Sequence, residues 1–80
     1  MFKYKILQVG NVSEGEICHN YATAWAQAVS KAKDLIKDNW EVISTEWEDI
    51  TKPLNIILNN DDCEILQIVI VRAWNEAYKT

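Results

Sequence analysis

Few residues in this chain could do covalent or acid–base chemistry, and their spacing limits what they can do. The single histidine, His19, directly follows Cys18, and the second of the two cysteines is Cys63. A serine or cysteine nucleophile needs a base to activate it, most often histidine. In an extended segment neighbouring side chains point to opposite faces, so Cys18 and His19 are poorly placed to act on one another. Nothing in the spacing brings Cys63 to His19, and His19 is expected to sit half-exposed at a strand end. A structural zinc site takes four Cys or His ligands in paired spacings; Cys18, His19 and Cys63 do not make one. Asp61, Asp62 and Glu64 form an acidic cluster, but without the alternating ligands and central glycine of a calcium loop. A hydrophilic turn accounts for them. Gly10 and Gly15 do not open a helix, so no phosphate-cradling loop is present. Glu46 and Glu48 share a strand face as a polar edge. No catalytic residue, metal site or cofactor is expected, and the chain is read as non-enzymatic.

The elements that would position any site follow from periodicity. From Phe2 to Val9 the pattern begins with period two, Phe2, Tyr4 and Ile6 on one face and Lys3 and Lys5 on the other, which predicts a strand. Asn11 to Glu16, with Ser13 and Gly15, is expected as a turn, and Glu16 to His19 as a short returning strand. Between Tyr21 and Asn39 the apolar residues Trp25, Ala28, Val29, Ala32, Leu35 and Ile36 recur at three and four, the spacing of one helix face. Asn20 is placed to cap that helix. Trp40 to Trp47 predicts a strand, with Ile43, Thr45 and Trp47 on one side and Val42 and Ser44 on the other. Pro53 ends a polar break, Leu54 to Leu58 forms another strand, and Asn59 to Asp62 turns the chain. Cys63 to Ala73 carries a β-branched run that favours a strand. Its competitor is a helix with Leu66, Ile70, Ala73, Trp74 and Ala77 on one stripe and Asp61 with Glu64 as a capping box. The expected architecture is β-β-α-β-β-β over residues 1–80, a single α+β domain. An antiparallel sheet of four to five strands carries one helix on one face.

Bulk properties exclude several classes. Eighty residues make one small domain with a marginal core. A net charge of −4 argues against a duplex nucleic-acid binder, whose affinity comes from neutralised phosphates. The longest apolar run, Ile68 to Val71, is far below the roughly 20 residues that span a bilayer. With no secretory pattern at the start and only two cysteines, the expectation is a cytoplasmic protein with reduced thiols.

The unusual feature is the apolar and aromatic load, which includes four tryptophans and three tyrosines. In the last strand Leu66, Ile68 and Ile70 fall on one face and Ile65, Val69 and Val71 on the other, yet a single helix covers only one. Exposed apolar surface on a small protein marks an interface, and tryptophan is enriched at interface hot spots. The candidate partner-binding residues are therefore Trp47, Val69, Val71 and Trp74, with Glu46 and Glu48 complementing a basic partner. Two other uses fit less well: a homodimer buried through the same face, and a single-strand nucleic-acid platform of Lys3, Lys5, Arg72, Tyr4 and Trp74.

The run Asp38-Asn39-Trp40-Glu41-Val42-Ile43-Ser44, following an amphipathic helix and an opening Tyr4-Lys5-Ile6 strand, resembles several small β-α-β-β families. In them a helix leads into Gly-Trp-Glu-Val-Ile-Ser; Asn39 stands here in place of the glycine. In size, acidity and lack of catalytic residues the chain is also similar to small phage-encoded inhibitors, anti-CRISPR proteins among them. That similarity implies a module that blocks a larger protein by occupying its surface.

Overall fold

The computed structural model of the chain describes residues 1–46, 50–51 and 53–73, without the side chains of 44–46. The elements are β1 (Phe2–Gln8), β2 (Asn11–Glu14), α1 (Tyr21–Lys37), β3 (Glu41–Glu46), β4 (Asn55–Asn59) and β5 (Ile65–Arg72). The strands form one sheet in the order β2-β1-β5-β4-β3, and every neighbouring pair is antiparallel. The helix packs on one face, giving the α+β architecture that the sequence pattern predicts. No described helix is long and apolar enough to cross a membrane.

The helix begins where the cap predicts. Asn20 is extended, and its side-chain oxygen accepts the Thr23 amide at 2.8 Å, satisfying one of the free donors of the first turn. The helix meets the sheet through Ala24, Ala28 and Ala32, all fully buried. Alanines at a spacing of four let the helix lie close over the core residues Ile6, Leu54, Ile56, Leu58, Leu66 and Ile68. The predicted stripe was centred one step away from this: Ala24 belongs to it, whereas Ile36 is exposed. Trp25, Val29, Leu35 and Trp40 pack partly buried around the core. Tyr21 ties the start of α1 to the sheet, accepting the Leu54 amide at 3.1 Å and meeting the Phe2 ring edge-on with centroids 5.5 Å apart. At the far end Asn39 has φ 70, a left-handed conformation. That is the conformation glycine adopts most readily and asparagine tolerates best among the other residues.

Three local readings are corrected. The returning strand is Asn11–Glu14 rather than Glu16 to His19, because the chain already reverses at Val9-Gly10, where Gly10 supplies φ 78. Gly15 is not a turn residue but the cross-strand partner of Tyr4. A Cβ there would lie 2.7 Å from Tyr4 Cζ, so only glycine leaves room for the ring. Beyond it the pairing slips. Gly15 donates to the Tyr4 carbonyl, and Cys18 exchanges both backbone bonds with Phe2. Four residues thus face three, a bulge that buries Cys18 and exposes Ile17. A second irregularity between Val42 and Ser44 breaks the predicted alternation of β3. Val42 packs on the core and Ile43 is exposed.

Residues 65–72 form a strand, not a helix. The β-branched run is paired on both sides, to β1 and to β4. The residues resembling a capping box form a side-chain-braced turn instead. Asn60 Oδ1 accepts the amides of Asp62 and Glu64 at 3.1 and 3.0 Å, and Cys63 takes φ 61.

Candidate protein interface

The candidates for chemistry are held apart. Cys18 pairs with Phe2 at one end of β1, whereas the turn carrying Cys63 joins the other end, where Gln8 Nε2 donates to Glu64 Oε2 at 3.0 Å. Six residue steps along β1 separate those ends, about 20 Å. Cys18 is buried and His19 exposed, as opposite directions from an extended segment require, and both cysteines are free thiols. The Glu64 carboxylate is occupied by amides, from Asn60 Nδ2 at 3.0 Å and from Gln8. No group of three metal-ligating side chains gathers among the described residues.

Register decides what shares the sheet face away from α1. Core residues Ile6, Ile68 and Ile56 are mutually paired, so their neighbours in sequence fall on the opposite side. One row across that side runs Val12, Leu7, Gln67, Ile57, Ser44, and the next runs Glu14, Lys5, Val69, Asn55, Glu46. Lys3 pairs with Val71 beyond them, and Ile65, Asn59 and Glu41 form the row at the other end. No described helix or strand lies over this face. Its centre is apolar apart from one amide pair, in which Gln67 Nε2 donates to Asn55 Oδ1 at 2.7 Å. Leu7, Ile57, Val69 and Val71 are half-buried by their neighbours, while Val12 and Ile65 are exposed.

Charge lies at the margins. Lys3 and Lys5 both reach Glu14, at 2.9 and 3.4 Å. The hydrogen bond from Lys3 holds the Glu14 carboxyl below its ordinary range; desolvation opposes this and Lys5 adds to it. Across the sheet, register places Glu41 and Glu46 on the same face along β3.

Of the predicted interface residues, Val69 and Val71 come together on this face, and backbone register puts position 46 in the row of Val69. Trp47, Glu48 and Trp74 lie outside the described residues. Leu7, Ile57, Gln67 and Asn55 belong to the face and were not singled out. The signal for them is parity: once Ile6, Ile56 and Ile68 are assigned inward, their neighbours point out. The residues of the nucleic-acid platform divide between faces, with Lys3 and Lys5 on the open side and Tyr4 and Arg72 on the helix side. Compared with protein-family models, curated proteins and solved structures, the chain matches none of them.

Proposed function

We propose that this chain is a non-catalytic protein-binding module that docks a larger protein on its open sheet face, in the manner of a small inhibitor. The observation that carries this is the apolar centre of that face, Leu7, Ile57, Val69 and Val71 on three adjacent strands, with no described element covering it. Contiguous apolar surface rimmed by charge is the composition of an interface core and rim. The Gln67–Asn55 amide pair gives the apolar patch a fixed polar point, which favours one docking orientation. Glu41 and Glu46 on the β3 side suit a partner with basic groups there.

A specific observation favours self-association as the second use. Lys3 and Lys5 lie on one side of β5 and Glu41 and Glu46 on the other. A two-fold axis parallel to β5 and lying above the open face would set the lysine-bearing β1 margin of one copy over the β3 margin of the second.

The test is a quantitative pull-down from source lysate with tagged wild-type chain and a Val69→Lys variant, each checked for folding by circular dichroism. One protein held stoichiometrically by wild type and released by folded Val69→Lys supports the proposal. Retention by the variant, or bait recovered alone as a dimer in light scattering, refutes it.

A further inference from the structure

A second surface, separate from the open face, lies at the β2 edge. Antiparallel neighbours alternate in the direction of their backbone groups. The Gly15 amide donates to the Tyr4 carbonyl at 3.0 Å, so Gly15, and by alternation Ser13 and Asn11, turn their backbone groups toward β1. Val12 and Glu14 therefore direct N–H and C=O outward, where no described strand meets them. Alongside this edge a groove of about 540 Å³ separates β2 from α1. Tyr4 and Gly15 floor it, Glu16 stands on the strand side, and Ser30, Lys31 and Asp34 on the helix side. The missing side chain at Gly15 keeps the floor open to the flat Tyr4 ring.

The charges select the occupant. Glu14 is already held by Lys3 and Lys5, but Glu16 and Asp34 have no ion pair among the described residues. Lys31 alone opposes them, so the walls carry unpaired negative charge.

We propose that β2 accepts an extended basic segment of a partner protein as a sixth strand, with alternate Lys or Arg side chains turned into the groove between Glu16 and Asp34. The outward backbone groups of Val12 and Glu14 hold the added strand, and the groove reads every second side chain. The proposal is independent of the open face and survives its failure.

The probe is a capped peptide of alternating lysine and valine, seven residues in design, titrated into the full ¹⁵N-labelled chain. Controls are its glutamate counterpart and a version N-methylated at alternate residues. The expected result is at least about tenfold slower hydrogen exchange at the Val12 and Glu14 amides when the lysine peptide is bound. Val12→Pro removes an outward donor only, so the Ser13 amide stays protected while binding falls about tenfold or more. Should that variant unfold, the N-methylated peptide imposes the same block from the ligand side. The pair Glu16→Gln and Asp34→Asn should weaken binding roughly three- to tenfold, less so at high salt. Equal binding of the glutamate peptide, or shifts confined to Val69 and Val71, would overturn the proposal. So would concentration-dependent protection of Val12 and Glu14 without peptide, which would make a second copy the occupant.

Discussion

Substituting alanine for Gly15 tests the pairing of Tyr4 with the bulged edge. A Gly→Ala change in a compatible backbone ordinarily stabilises by about 0.4–1 kcal/mol, because the unfolded chain loses freedom. Gly15 does not hold a left-handed conformation, so its backbone admits alanine. The ring decides the sign. The new Cβ would stand 2.7 Å from Tyr4 Cζ, well inside contact distance, and Tyr4 is itself packed against the core. Displacing it is an overpacking cost of about 1–3 kcal/mol, leaving a net loss of about 1–2 kcal/mol. Against a total stability of about 4–12 kcal/mol for a domain this size, that lowers Tm by roughly 5–15 °C. Urea and thermal unfolding by circular dichroism would measure it. The companion variant is Tyr4→Leu, which removes the ring. If the clash is the cause, Gly15→Ala is tolerated in that background, and the double-mutant cycle shows a coupling of about 1 kcal/mol or more. A Gly15→Ala protein as stable as wild type, or a strictly additive cycle, would refute the reasoning.

Three further outcomes are expected. Ala28→Leu, at a fully buried contact of helix and sheet, should lower stability by about 1–3 kcal/mol in urea, whereas Ala26→Leu on the exposed side should change it little. Asn20→Ala should lose about 0.5–2 kcal/mol with the cap, and Asn39→Gly should gain about 0.5–1 kcal/mol by relieving a left-handed non-glycine residue; opposite shifts in midpoint check both ends of the helix together. Glu14 binds its proton more weakly folded than unfolded, so its contribution is full above the unfolded carboxyl range near about 4.3 and is lost as pH falls through the depressed folded value. Glu14→Gln, or high salt, should flatten that part of an acid-unfolding profile.

The helix and the strand identity of 65–72 were legible because their patterns are strong over many residues: a spacing of three and four for one, a β-branched run for the other. The details that failed depend on packing partners. A glycine in a polar segment signals a turn, and only the ring of Tyr4, eleven residues earlier in sequence, shows that Gly15 instead lies just past β2, against that ring. Likewise Val42 and Ser44 read as one face of β3, until the slip opposite β4 pairs Val42 with Leu58 but Ser44 with Ile57, on opposite faces of the sheet. For the interface, parity alone placed Val69 and Val71 correctly opposite the core, and Glu46 follows from register. The groove beside β2 was not legible at all, because its walls come from two elements whose approach is set by the alanines of α1.

The placement of β5 bears on how the chain reaches this fold. The last described strand is the middle one, joined to β1 on one side and β4 on the other. Without it the sheet separates into two hairpins, β1–β2 and β3–β4, and an isolated two-stranded hairpin is marginal in water. The helix would then have no continuous floor. Assembly must therefore be nearly all-or-none, waiting on a contact between segments about sixty positions apart, and topologies of that kind fold in milliseconds to seconds rather than microseconds. The same dependence makes the Asn60–Glu64 turn a natural point of division. A chain cut there should yield a fragment with an empty central slot and a peptide shaped to fill it, so that the two recover the fold only in each other's presence.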